Sequence, residues 1–266
     1  MYTKTKDGLN IYYEVKGNQQ SRDTIILLNG LSQSTVSWYF MLPCFEEKYR
    51  IILMDFIFQG QSDKDGEWRD FDQHAEDVVQ VLNATSTEKA IVIGISYGSL
   101  VAQHLALNYP ERVSKLVLLS TFAHKTPYFE LIEQAWWRAL ELGGYSLMFD
   151  IMLPNVLSEQ YFKNPLIPVE TLRQIRQESN QSAEALFKLM TATKNRGDFR
   201  SRLKEIKVPT LVIHGEKDTL ITLSMGIEVA NHIPNAKLKI IEDAGHTLNL
   251  EKVKEVCIEI LKFLGE

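Results

Sequence analysis

The sequence predicts an α/β protein: a mostly parallel central sheet flanked by helices, with a helical segment inserted before the last strands. Three observations carry this. Short apolar runs recur with helical segments between them, the pattern of strands joined by crossover helices. The stretch AIVIGISYGSL, Ala90–Leu100, runs four apolar residues toward the interior and then places Ser96 between Gly94 and Gly98. Between Ser120 and Pro209 the alternation stops for roughly eighty residues, far more than a simple crossover needs.

At the start of the chain, Tyr2–Lys6 and Leu9–Val15 flank Asp7-Gly8, a dipeptide suited to a tight hairpin, so the sheet is expected to begin antiparallel. Thr24–Leu28, Arg50–Asp55, Ala90–Gly94, Lys115–Ser120, Thr210–His214 and Lys237–Ile241 are the remaining predicted strands. Several lack polar alternation, as strands covered on both faces do. Helices fit Thr35–Glu47, Phe71–Asn83, Gly98–Asn108 and Glu251–Leu264. The last sets Val253, Val256, Cys257, Ile260, Leu261 and Leu264 on one stripe that can pack on the sheet. Pro110 ends the third, because proline lacks the backbone donor and collides with the preceding turn. The interruption reads as several helices broken at Gly143-Gly144, Pro154, Pro165 and Pro168, forming an inserted cap. The expected division is residues 1–122 and 207–266 for the core domain and 123–206 for the helical cap.

The chain has 266 residues, enough to bury a sizeable single core. A content of 45% hydrophobic and 24% charged residues excludes a mainly disordered protein. The net charge of -5 gives no electrostatic reason to expect nucleic acid as a partner. The start, MYTKTKDGLN, lacks the apolar core of a secretory signal, and no apolar run is long enough to span a bilayer. A cytoplasmic location is the resulting expectation. Cys44 and Cys257 lie far apart in sequence without metal-like spacing, which predicts reduced, partly buried thiols. No phosphate-binding glycine loop or metal-ligand cluster is present, and no cofactor is expected.

Ser96 follows a buried strand and precedes a helix, so the chain must reverse sharply there. Gly94 and Gly98 let the two backbones approach, while the serine oxygen projects from the turn. The helix beginning near Tyr97 aims free N–H groups and a partial positive charge at that point. A serine hydroxyl is a poor nucleophile near neutral pH and needs a base, itself oriented by an acid. Among the six histidines, His246 in EDAGHTLNLE follows a strand, and Gly245 permits the bend that swings its ring toward Ser96. Asp218 in HGEKDTLI follows the strand ending at His214, and a parallel sheet brings both loops to one edge. Glu216 and Asp243 are the competing acids. Donors for a developing oxyanion are expected from the N–H of Tyr97 and, through the turn at Asn29-Gly30, from the N–H of Leu31.

Together these segments resemble the α/β-hydrolase family. The resemblance rests on LLNG at Leu27–Gly30, DFIFQGQS at Asp55–Ser62, GISYGS at Gly94–Ser99, YPERVSKLVLLS at Tyr109–Ser120, HGEKD at His214–Asp218 and AGH at Ala244–His246. It covers nearly all of the chain outside the cap and places Ser, Asp and His in the family's order. Two departures stand out. The family often has His-Gly where this chain has Asn29-Gly30, and commonly has glycine where Phe58 stands. Both positions are therefore candidate substrate contacts, with packing the competing role for Phe58. A serine nucleophile argues against the haloalkane dehalogenase and epoxide hydrolase branches, which resemble this fold but use aspartate.

The cap segment TPYFELIEQAWWRALELGGYSLMFDIMLP is rich in large apolar groups, and Trp136 and Trp137 are its candidate pocket residues. A cap over Ser96 would exclude water and shape the acyl pocket. The function expected is hydrolysis of a carboxylic ester or lactone with a mainly apolar acyl part, through a covalent acyl-enzyme. The same residues also serve an acyl thioesterase, a carbon–carbon bond hydrolase, an acyltransferase or a slow-turnover ligand receptor. The expected partner is a small-molecule ester, lactone or acyl thioester, and an acyl carrier protein is compatible with the thioester alternative.

Overall fold

Eight strands form one sheet in the order β1-β2-β4-β3-β5-β6-β7-β8. They are β1 (Tyr2–Lys4), β2 (Asn10–Gly17), β3 (Thr24–Leu28), β4 (Arg50–Met54), β5 (Ala90–Ile95), β6 (Val113–Leu119), β7 (Thr210–Gly215) and β8 (Lys237–Ile241). The computed structural model describes residues 1–178 and 181–265. β1 and β2 pair antiparallel, as does β2 with β4, and every later pairing is parallel. Every residue of β3, β5 and β7 is buried, which accounts for the missing polar alternation.

One face of the sheet is covered by α1 (Phe71–Ala84), α2 (Tyr97–Asn108) and α8 (Leu223–His232), the last of which the sequence reading does not anticipate. The other face is covered by a 3₁₀ helix, Thr35–Cys44, and by the C-terminal helix. The expected α-helix Thr35–Glu47 is thus shorter and more tightly wound. Its interior Pro43 cannot donate the bond an α-helix needs there. The expected helix Glu251–Leu264 begins at Val253, after a separate short helix Leu248–Glu251.

Cys44 and Cys257 correct another expectation: they are joined as a disulfide, with their Cα atoms 6.1 Å apart. Sequence separation hid their proximity, because the 3₁₀ helix and the C-terminal helix pack on the same face of the sheet. Among the described residues, no helix is long and apolar enough to cross a membrane.

Between β6 and β7 lie α3 (Pro127–Val156), α4 (Glu159–Lys163), α5 (Val169–Glu178), α6 (Ala183–Asn195) and α7 (Arg200–Leu203). Helix α3 is interrupted at Gly143 and Gly144, where Gly144 takes φ 64°. Pro154 does not end the helix as expected. It falls in the last turn, two residues before the end at Val156.

The parallel register sets Leu28 beside Gly94, Ile95 beside Leu119 and Gly215 beside Ile241. The loops after β3, β5, β7 and β8 therefore emerge from one edge of the sheet, beneath the inserted helices.

Candidate active site

Ser96 occupies the turn between β5 and α2 with φ 50° and ψ −115°, backbone angles that a non-glycine residue rarely adopts. The neighbouring glycines explain how the turn closes. A Cβ at Gly94 would run into the Gly98 carbonyl, and one at Gly98 into the Leu28 carbonyl. Tyr97 is the first residue of α2, so its N–H has no intrahelical partner and points out of the helix beside Ser96.

The loop after β7 supplies Asp218. Its Oδ1 accepts the N–H groups of Leu220 at 3.0 Å and Ile221 at 2.9 Å, and its Oδ2 lies 2.8 Å from His246 Nδ1. A carboxylate can only accept, so Nδ1 carries the proton and Nε2 is left with its lone pair. His214 steadies the same loop by donating from Nε2 to the Ile221 carbonyl at 2.7 Å. Burial pushes the His214 pKa down, which keeps this ring neutral beside Asp218.

His246 is held from behind as well. Its carbonyl accepts from Ser120 Oγ at 2.7 Å, and Gly245 N–H donates to Glu251 Oε2 at 3.1 Å. The same Oε2 accepts Ser158 N–H at 3.0 Å, at the point where the chain leaves α3. Glu251 therefore ties the His246 loop to the inserted helices. It is half-buried, and burial raises its pKa. Sequence reasoning passed over Glu251. Its signal was an acidic residue five positions after the candidate base, in a stretch otherwise destined for burial.

Ser96 and His246 line one cavity of about 80 Å³ together with Leu31, Trp136, Val156 and Leu220. Among the described residues no hydrogen bond joins Ser96 to His246. Such contacts are often long before substrate arrives and tighten in the complex. The competing acids lie elsewhere: Glu216 and Asp243 are exposed, and Glu216 Oε2 accepts the Asp243 N–H. Of the other histidines, His104 pairs with Asp72, His124 with Glu228, and His74 is enclosed beside α2.

The turn after β3 is braced by two side chains. Gln59 Nε2 donates to the carbonyls of Gly30 and Leu31 at 2.8 and 2.9 Å, and Gly30 N–H donates to Gln33 Oε1 at 3.0 Å. The Leu31 N–H makes no hydrogen bond among the described residues. Gln59, from DFIFQGQS, is a second supporting residue that sequence reasoning did not single out.

Three candidate substrate residues do not face this cavity. Asn29 is fully buried behind it, donating to the Met54 carbonyl at 2.8 Å and accepting from Trp38 Nε1 at 2.9 Å. Its side chain ties the turn after β3 to the end of β4 and to the 3₁₀ helix. Phe58 is also fully buried, at φ 80°, with Lys188 of α6 5.3 Å above its ring. It joins the sheet body to the insertion. Trp137 lies on the outer side of α3, with Nε1 donating to Glu141 at 2.8 Å and its ring 4.8 Å from Phe187. Trp136 alone of the four walls the cavity. Among the described residues, no group of three or more His, Cys, Asp or Glu side chains is arranged to hold a metal ion.

Comparison with known proteins agrees with this architecture. The chain is 29% identical over 275 residues to a 2-hydroxy-6-oxononadienedioate/2-hydroxy-6-oxononatrienedioate hydrolase of Paraburkholderia phymatum, covering 97% of this chain and 92% of that protein. It is 26% identical to 3-oxoadipate enol-lactonase 2 of Acinetobacter baylyi, over 94% of this chain and 91% of the other. The crystal structure of a hydrolase from Pseudomonas aeruginosa superimposes with a TM-score of 0.90 at 27% identity, covering 100% of this chain and 98% of that one. The family described as the alpha/beta hydrolase fold matches residues 23–253, from the start of β3 into the C-terminal helix. With the sheet order, the strained serine turn and this match agreeing across nearly the whole chain, the protein belongs to the α/β hydrolase family of hydrolytic enzymes.

Proposed function

We propose that the protein is a serine hydrolase of neutral carboxylic esters or lactones. The observation that carries this reading is the cavity shared by Ser96 and His246, with His246 Nδ1 held 2.8 Å from Asp218. Ser96 Oγ attacks the substrate carbonyl carbon while His246 Nε2 takes its proton. The resulting oxyanion accepts hydrogen bonds from the Leu31 and Tyr97 N–H groups. Collapse breaks the bond to the leaving oxygen, which receives the proton from His246, and Ser96 is left acylated. Water then attacks the acyl carbon and gives a proton to His246, which passes it to Ser96 Oγ as the acyl bond breaks, releasing the carboxylic acid and free Ser96. In this reading residues 123–206 act as the cap, closing over the serine and excluding water.

The lining favours a neutral substrate. Neither Lys nor Arg walls the cavity among the described residues, whereas its wall includes Phe149, Met152, Leu153 and Val156. A dicarboxylate of the kind for which one relative is named would enter without a counter-charge. Acyl thioesters fit the same wall, and a panel of oxygen esters, lactones and thioesters separates the two. Ser96→Ala is expected to lower kcat/KM by about 10⁵-fold or more while the protein stays folded. A fluorophosphonate should label the parent at Ser96 and leave the variant unlabelled. Full turnover in folded Ser96→Ala protein would overturn the reading. A single turnover that leaves the protein modified would point instead to a slow ligand receptor.

A further inference from the structure

Ser96 stands at the junction of two cavities. Leu31, Ser96, Trp136 and Leu220 wall both. The larger, about 80 Å³, also takes in His246. The smaller, about 40 Å³, takes in Tyr97, Glu133 and Thr193 instead and is not lined by His246. An ester held with its carbonyl carbon on Ser96 sends its two halves in different directions, and the base tells them apart. His246 must deliver a proton to the leaving oxygen, so the alcohol half lies on its side. The acyl half is left with the other cavity.

We infer, on the ester-hydrolase reading above, that the smaller cavity is the acyl site and that it selects a short, uncharged acyl group whose oxygen accepts a hydrogen bond from Trp136. Its size sets the length. At 10–15 Å³ for each water-sized occupant, it holds on the order of three non-hydrogen atoms beyond the carbonyl. A few polar groups in a mainly apolar wall, which includes Leu100, Phe122 and Met190, set the chemistry. Trp136 is 5% exposed, and its Nε1–H has no partner among the described residues. A buried indole N–H ordinarily finds an acceptor, so a substrate oxygen is the natural one here. Glu133 lies one turn earlier on α3 in the same wall, with Lys125 Nζ 3.1 Å from its carboxylate. That carboxylate already has its counter-ion, so it disfavours a second anion and leaves a hydroxyl or ketone as the acceptor.

The test uses the parent protein and two series of esters. In the first the alcohol is phenol, and the acid is acetic, butanoic, 3-hydroxybutanoic (each enantiomer), hexanoic or octanoic. In the second the acid is butanoic and the alcohol lengthens from methanol to hexanol. The expected kcat/KM falls at least about tenfold from the butanoyl to the octanoyl ester and does not fall as the alcohol lengthens. One enantiomer of the hydroxy ester is preferred over butanoate by about tenfold, and Trp136→Phe, which keeps an aromatic ring but loses the N–H, removes that preference. Tolerance of long acyl chains together with rejection of long alcohols would reverse the two cavities. No hydroxy preference in the parent, or one that survives Trp136→Phe, would remove Trp136 from recognition. Fluorophosphonate labelling of Ser96 in both proteins keeps these outcomes separate from failure of the ester-hydrolase reading, which would show as no labelling of the parent.

Discussion

The strand-end loops and the inserted helices wall the same cavity but hold their side chains by different means. On the sheet side, position is set by directed bonds. Lys217 N–H donates to the Ala244 carbonyl at 2.8 Å, Ser120 Oγ to the His246 carbonyl, and two backbone N–H groups to Asp218. On the insertion side, Phe149, Met152, Leu153 and Val156 belong to the buried apolar cluster and are placed by packing. A hydrogen-bonded register admits one arrangement, whereas apolar packing tolerates exchange at similar volume. Chemistry should therefore be intolerant of change on the sheet side, and substrate choice adjustable on the other.

The largest expected effect tests the sheet side. Asp218→Asn should lower kcat by about 10⁴-fold, because an amide can stabilise the wrong imidazole tautomer. Glu216→Gln, at an exposed position, should stay within about twofold. Both are measured as single-turnover acylation rates on folded protein. The reverse ranking would make Glu216 the orienting acid and undo the contrast.

Glu251 tests the joint between the two regions. Its carboxylate accepts N–H groups from Gly245 on one side and Ser158 on the other. Glu251→Ala should lower kcat/KM by up to about 10²-fold, through misplacement of His246. Glu251→Gln retains an oxygen that can accept from both donors and should restore most of the rate. If the glutamine variant is as impaired as alanine in folded protein, the charge matters and the positioning role fails.

How far the sequence foretold this arrangement follows the same division. That Ser96, Asp218 and His246 gather in one place was legible because a parallel sheet brings the ends of its strands to one edge, so position along the chain translates into position in space. Leu31 and Tyr97 come beside Ser96 for the same reason. Asn29 and Phe58 read as substrate contacts in the sequence but do not line the cavity, because the residues that engage them are distant in sequence. Trp38 and Met54 engage Asn29, and Lys188 covers Phe58. The Cys44–Cys257 pairing escaped for a similar reason. It depends on two helices meeting on one face, and neither cysteine's surroundings encode its partner.

A smaller effect concerns stability on the sheet side. His74 of α1 is fully buried against Phe56 and Tyr97, with ring centroids 5.3 and 5.6 Å away. Burial, aided by Arg69, pushes its pKa down to about 3. The unfolded chain binds a proton on this ring below about pH 6.5, while the folded chain does not until about pH 3. Stability contributed by the neutral ring is therefore present above pH 6.5 and lost as the pH falls through that window. Between pH 6.5 and 5 the parent should lose about 2 kcal/mol more than His74→Phe. Arg69 and Asp77, which face the ring, are common to both proteins. Equal slopes in denaturant unfolding would show that His74 is not the group responsible.

The smallest effect is expected where the inserted helix turns away from the cavity. Trp136 and Trp137 are adjacent, yet successive residues on a helix point about 100° apart, and only Trp136 reaches Ser96's cavity. Trp137 packs on Phe187, donates to Glu141 and lies under Lys194, whose Nζ is 4.9 Å from its ring. Trp137→Ala should therefore lower stability by about 1–2 kcal/mol through lost packing and cation–π contact. Relative kcat/KM across the acyl series should stay within about twofold of the parent, as for a surface change. The variant is compared with Trp136→Phe by denaturant unfolding and by the same phenyl esters. An equal shift in acyl preference from both would mean that α3 moves as a unit, so that its outer face reaches the substrate through its inner one. Adjustability would then belong to the helix as a whole, not to the side chains that line the cavity.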